Sequence, residues 1–242
     1  AGIHLSTDDG MNWNELAGSP TDVEDLLIAS DGSLYASRQA GVHRSTDGGV
    51  TWQVTGPGLR NFVARVAEAA DGTIYALCFT SSHGIYRYGA SADTWPALPV
   101  SNDAGYGRGL ALSADGNLYS ATTKGVWHSK DAGQTWTESN DGIYAIGVKD
   151  VVEAADGTYL IASNYSGLLR STDGGDTWTE SGSDLSTPEF YALATDPSGD
   201  VYAGGRYGLV FRSTDSGVPW TEERQGNTLA KRRALHFATH ST

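Results

Sequence analysis

The 242-residue chain has one cysteine, Cys78. A single thiol excludes an internal disulfide and any cysteine-rich metal site. Its neighbours Ala76, Leu77 and Phe79 mark it as a core thiol in a strand. Basic residues are also scarce. Sixteen Lys and Arg stand against 29 Asp and Glu, a formal net charge of -13. That balance disfavours nucleic acid and anionic membranes as partners, because their phosphates are repelled. No apolar run reaches membrane-spanning length, so no membrane insertion is expected. Helical periodicity is missing from every segment of useful length. No His-x-x-x-His or His/Asp cluster supports a metal, and His236 and His240, on an expected strand or tail, share no helical face. Glycine-rich stretches read as turns, not phosphate cradles, so no cofactor is expected. The chain opens on Ala1 without a methionine or signal peptide, which points to a processed or trimmed chain.

What the chain has in quantity is glycine, 31 residues, and aromatic side chains, 10%. Both serve one recurring block. Its full form is Ser171-Thr172-Asp173-Gly174-Gly175-Asp176-Thr177-Trp178, repeated from Ser45 to Trp52 and from Ser129 to Trp136. Looser copies run from Ser6 to Trp13 and from Ser213 to Trp220, and a worn copy from Gly89 to Trp95. The tryptophans recur about every forty residues, the length of one four-stranded propeller blade.

Each unit has the same internal order. An apolar run such as Val23 to Ala29 comes first. A two-residue turn is expected next, at Asp31-Gly32, Asp71-Gly72, Asp115-Gly116, Asp156-Gly157 and Ser198-Gly199. A second strand carries Tyr35, Tyr75, Tyr119, Tyr159 or Tyr202, and a third opens on glycine and an aliphatic residue, as at Gly41-Val42. The block follows, and a fourth strand starts at its tryptophan. The N-terminus enters at a third strand, Gly2 to Leu5, and Arg233 to Thr239 reads as a first strand. The expected fold is an all-β propeller, one domain over residues 1–242, six-bladed with the last blade shared by the two termini. A five-bladed ring with loose ends is the alternative. The run Lys231-Arg232-Arg233 is either a loop or a tail of foreign origin.

The block resembles the Asp-box, or BNR, repeat, and the resemblance covers essentially the whole chain. Asp-box propellers include sialidases, xyloglucan hydrolases, sortilin-type receptors and Ycf48-type photosystem assembly factors. The resemblance implies the fold but not the activity, since one fold hosts many functions. It also implies that the box lies at the periphery, away from the ligand face. Asp8, Asp47, Asp131, Asp173 and Asp215, with Trp13, Trp52, Trp136, Trp178 and Trp220, are therefore read as scaffold. A sialidase should carry an Arg-Ile-Pro motif, and none is present. Arg44, Arg87, Arg170 and Arg212 recur just before the block, which suggests structural pairing instead.

Function is expected at the opposite end of each unit. Six residues before the turn aspartate stand Asp25, Arg65, Gly109 and Asp150, with Phe190 or Ala192 in the fifth unit. Strand alternation places this column on the side opposite the apolar residue that follows, facing a channel. Asp25 and Asp150, three units apart, are the candidate acid and base of an inverting glycosidase. The other reading makes them polar channel residues paired with Arg65 or Lys149. Face loops add Phe62, His83, Tyr106, Tyr144, Tyr165, Phe190 and Tyr207, a composition that suits a sugar or peptide surface. The favoured function is non-catalytic binding of a glycan or protein by a secreted or periplasmic monomer. The alternatives are a glycoside hydrolase and a fragment of a larger receptor or assembly factor.

Overall fold

The computed structural model describes residues 2–223, apart from 7, 9, 10, 40, 60, 61, 80–82, 101–103, 145, 146, 184, 186 and 188. The strand expected from Arg233 to Thr239, the basic run at Lys231, His236 and His240 lie outside these residues, as does the side chain of His83.

Antiparallel strands account for nearly all the regular structure, and the chain packs as two compact units, Ala1–Val100 and Ser101–Thr242. The first unit opens with the pair β1 (His4–Leu5) and β2 (Asn14–Glu15). A four-stranded sheet follows, β3 (Val23–Ile28), β4 (Leu34–Arg38), β5 (Gly41–Ser45) and β6 (Gln53–Val54). The unit closes with a three-stranded sheet, β7 (Val63–Glu68), β8 (Ile74–Phe79) and β9 (His83–Arg87).

The second unit holds three four-stranded sheets. They are β10 (Gly107–Leu112), β11 (Leu118–Thr122), β12 (Gly125–Ser129) and β13 (Thr137–Glu138); then β14 (Val148–Glu153), β15 (Tyr159–Ser163), β16 (Leu168–Ser171) and β17 (Thr179–Ser181). The last is β18 (Phe190–Thr195), β19 (Val201–Gly205), β20 (Val210–Ser213) and β21 (Thr221–Glu222), with a 3₁₀ turn at Arg206–Gly208 between β19 and β20. In every sheet the strands pair in chain order.

Within each unit, sheets stack face to face with their first strands together, β3 on β7, β10 on β14 and β14 on β18. Second strands are therefore covered on both faces. Leu160, Ile161 and Ala162 of β15 are all fully buried, and each large aliphatic side chain so placed contributes about 1.5–3 kcal/mol. The recurring tyrosines work across these joints. Tyr119 stacks on Tyr159 at 4.0 Å between ring centres, and its hydroxyl donates to the Gly174 carbonyl of the next sheet at 2.8 Å.

The expected two-residue hairpin turn is one residue longer. Ala29 N–H donates to Ser33 O, and Gly32 N–H to Ala29 O. Only the glycine takes positive φ, at 81° for Gly32. This is a type I turn closed by a left-handed glycine, in which the aspartate keeps ordinary φ. Asp31 instead accepts the Ser33 N–H at 2.8 Å.

The block is a self-contained hydrogen-bonded loop. Asp47 Oδ1 accepts Thr51 N–H at 2.9 Å, Oδ2 accepts the Thr51 hydroxyl at 2.5 Å, and Ser45 Oγ accepts Gly49 N–H at 2.9 Å. Asp131 and Asp173 repeat this set on Thr135 and Thr177. Asn12 replaces the threonine for Asp8. Pro219 occupies the threonine place in the last block and offers Asp215 neither hydroxyl nor N–H. In the worn block Ala90 stands where the others have the aspartate, and Asp93, three residues on, accepts Gly56 N–H and the Tyr88 hydroxyl. There Pro96 follows the tryptophan, and the expected fourth strand shrinks to an isolated bridge between Tyr86 and Ala97.

The tryptophans fall into two classes. Trp95, Trp178 and Trp220 reach the preceding sheet, where their indole N–H donates to Thr55 Oγ1, Ser139 Oγ and Ser181 Oγ at 2.9–3.2 Å. Trp52 and Trp136 instead donate to Gly49 O and Gly133 O of their own turns. The acceptor explains the split. Thr55, Ser139 and Ser181 each lie three residues after the preceding block tryptophan. The same place before Trp52 is Leu16, which has no hydroxyl to offer.

Two outcomes follow from these bonds. Ser181 also donates to Gly217 O at 2.6 Å. Ser181→Ala strands both the indole and that carbonyl, and urea denaturation should show a loss of about 1–3 kcal/mol. The second outcome concerns acid. Threonine hydroxyls and N–H groups hold Asp47 and Asp131 at about 2, and Ser171 with Thr177 does the same for Asp173. Folded-state values below the unfolded carboxylate value mean stability that is complete above about pH 4 and lost as pH falls towards 2. Thermal melts from pH 6 to 2 should show this decline, with a shallower slope in the Thr135→Val, Thr177→Val double variant.

Candidate functional site

Every first strand carries a bulge at the same place. Register shifts between Val23 and Asp25, Val63 and Arg65, Gly107 and Gly109, Val148 and Asp150, and Phe190 and Ala192. The fifth member of the column is thus Ala192. A bulge interrupts alternation and re-aims the residue after it. The column therefore does not keep to one solvent-facing side. Ala192 is fully buried and Asp150 is 3% exposed.

The two aspartates bind main chain. Asp25 Oδ2 accepts Val66 N–H of β7 at 2.9 Å. Asp150 Oδ2 accepts Leu193 N–H of β18 at 3.0 Å, and its Oδ1 accepts Val151 N–H at 3.0 Å. Each carboxylate thus ties the first strand of its own sheet to an N–H on the first strand of the next. Gly109, the column residue before Asp150, makes room for this. A Cβ there would sit 2.7 Å from Asp150 Oδ1. Asp25 is half-buried, and Arg65 is half-buried beside its bulge.

The face aromatics divide. Phe190 is 1% exposed and packs edge-on against Phe211 at 5.6 Å, so it belongs to the core and not to a binding face. Its aromatic ring seals the start of β18, the junction of loop and strand where a face aromatic was expected. Phe62 is half-buried and edge-on to Phe79 at 6.0 Å. Tyr106, Tyr144, Tyr165 and Tyr207 are all exposed, at 42%, 97%, 74% and 58%. Tyr207 stands on the 3₁₀ turn with φ 64°, under the guanidinium of Arg206 at 4.8 Å from its ring centre. Glu189 anchors that arginine at 2.5 Å.

Tyr144 and Tyr165 line one open groove of about 610 Å³ in the second unit. Tyr106 and Tyr207 lie outside it. Tyr165 comes from the β15–β16 loop and Tyr144 from the segment leading into β14. The apolar wall is Leu168, Leu169, Trp178 and Leu185, and hydroxyls come from Ser166, Thr179 and Thr187. Glu180 of β17 is the one charged residue among the described lining residues.

One position beside the groove sets Glu180 apart from its counterpart in the preceding sheet. In the sheet β10–β13, Glu138 is followed two residues on by Asn140, whose Oδ1 accepts Val126 N–H and whose Nδ2 donates to Glu138 Oε1 at 2.6 Å. The corresponding pair in β14–β17 is Glu180 and Gly182. Gly182, at φ 86°, offers Glu180 no amide, and Leu185 packs over it, with Cδ1 2.6 Å from where a Cβ would sit. Comparing these two positions in the sequence would have exposed the difference, but the recurrence of glutamate after Thr137, Thr179 and Thr221 disguises it as surface charge.

Asp150 and Asp25 make different demands on the fold. Asp150→Ala leaves two N–H groups without an acceptor in a buried place, so equilibrium unfolding should show a loss of about 2–4 kcal/mol. Asp25→Ala removes one bond at a half-exposed site and should cost about 1 kcal/mol in the same measurement.

Comparison with protein-family models and with curated proteins finds no match. Solved structures do resemble the chain. YCF48 bound to D1 peptide matches with a TM-score of 0.70 at 21% identity, over 92% of this chain and 74% of that one. A Staphylococcus aureus virginiamycin B lyase matches at 0.75 and 19% identity, over 95% and 79%. The extracellular domain of a candidate one-component system from B. thetaiotaomicron matches at 0.71 and 15% identity, over 86% of this chain. The present chain spans 32% of that domain's length. These likenesses establish the fold, and the chain has the fold of a β-propeller.

Proposed function

We propose that this propeller is a non-catalytic binding domain and that its groove at Tyr144 and Tyr165 receives an extended ligand, a glycan or a segment of protein. One observation carries the reading. The two most exposed face tyrosines, at 97% and 74%, line the same groove. Large apolar rings left in water are unfavourable for a lone domain, and ring faces with a polar tip suit recognition of partly polar ligands. The solved propeller with a bound peptide supports ligand binding by this fold.

In this reading Asp25 and Asp150 are framework. A general acid or base must reach the substrate, whereas Asp150 is 3% exposed with both oxygens engaged by main-chain N–H. Similarity to an extracellular domain is compatible with a secreted or periplasmic setting.

A panel of oligosaccharides and short peptides titrated by calorimetry tests the proposal. Tyr144→Ala and Tyr165→Ala should each weaken the bound member about tenfold or more, as expected for aromatic anchors. Their melting temperatures should stay near that of the unmodified chain, since neither ring is part of the core. Unchanged affinity in both variants would sink the assignment of the groove.

A further inference from the structure

The groove's chemistry goes further than its shape. Resting on the binding role just proposed, we infer that the occupant is a peptide segment that presents a lysine or arginine side chain, with the cationic group held between tyrosine faces and the Glu180 carboxylate.

Glu180 differs from its counterparts. Glu138 accepts from Asn140 and is thereby partly neutralised as a site for other donors. Glu222 on β21 also faces an apolar residue, Phe211, across the strand pair, but it is itself engaged. Glu180 has no hydrogen-bond or ion-pair partner among the described residues, and its cross-strand partner is Leu169, which is apolar. Its carboxylate therefore stands exposed at the edge of an apolar wall. A carboxylate so placed gains most from a cation that also contacts the aromatic surface.

Tyr144 and Tyr165 supply that surface. A ring face carries negative quadrupole charge and attracts ammonium or guanidinium groups within about 6 Å. The hydroxyls of Ser166 and Thr179 line the same space and can accept from a guanidinium or from peptide N–H. No lysine or arginine is present among the described lining residues to compete. The net charge of -13 draws a cationic segment towards the domain and repels an acidic one. An acidic glycan is disfavoured at Glu180 for the same reason.

The test uses the full chain and four probes, matched by length. Three are blocked pentapeptides with a central lysine, norleucine or glutamate flanked by glycines, and the fourth is a neutral glucan hexasaccharide. Calorimetric titration at 50 and 300 mM salt reads each affinity. The lysine peptide should bind more tightly than the norleucine peptide, and the glutamate peptide should not bind. Raising salt should weaken the lysine peptide but not the norleucine peptide. Glu180→Gln should weaken the lysine peptide about two- to fivefold and leave the norleucine peptide unchanged, as for a solvent-exposed ion pair. Tyr144→Ala and Tyr165→Ala should each weaken the lysine peptide by about tenfold or more.

Equal affinity for lysine and norleucine peptides would overturn the cationic assignment, as would indifference to Glu180→Gln. Tyrosine-dependent binding of the hexasaccharide alone would overturn it too, while leaving the groove as the binding site. Binding of the lysine peptide unaffected by either tyrosine variant would remove both the cationic assignment and the groove itself.

Discussion

The structure depends on how neighbouring sheets are joined. Among the described residues no strand ladder crosses from one sheet to the next, so a few main-chain bonds, such as Phe62 N–H to Gln39 O, and many side chains make the connection. The first strand of each sheet has an edge whose N–H groups have no ladder partner, and burial makes an unanswered N–H costly. Asp25 answers Val66, and Asp150 answers Leu193. At the ends of these strands Glu68 takes Ser30 N–H and hydroxyl, and Glu153 takes Ala114 N–H. Further out, Tyr119 reaches the next block, and indoles reach back to hydroxyls. Acidic residues are therefore fasteners as well as surface charge, which accounts for part of the negative balance without appeal to a partner.

Much of this was legible in the sequence. The spacing of the tryptophans gives sheet size and order, and the turn glycine, after aspartate in four repeats and after Ser198 in the fifth, marks each first hairpin. The self-bonding of the block was readable from its Ser, Asp and Thr. Two elements resisted, for physical reasons. A bulge has no residue signature when the bulged position can be Glu24, Ala64 or Lys149, so strand alternation misplaced Asp25 and Asp150. The turn misread is related, since Asp-Gly fits both the two-residue turn and the longer one, and only the register across Ala29 and Ser33 separates them.

The candidate site was half legible. Exposed tyrosines at 144 and 165 follow from their loop positions, but Phe190 occupies the same kind of position and is core. What distinguishes them is whether a neighbouring ring is available. Phe211 sits across β20 to receive Phe190. What sets Glu180 apart is that no amide binds it, as Asn140 binds Glu138. Gly182 carries that difference, and in a chain with 31 glycines one such exchange is easily missed.

The two classes of tryptophan have a bearing on how such chains change over evolutionary time. The hydroxyl three residues past one tryptophan and the indole of the following repeat form a matched lock. A repeat that ends in Thr55, Ser139 or Ser181 accepts a successor whose indole leans back, and the one that ends in Leu16 is followed by an indole that closes on its own turn. Repeats are therefore not freely interchangeable. Duplication or deletion of a unit is smooth only when the residue at this junction suits the tryptophan that comes next, so a single side chain sets which neighbours a repeat can have.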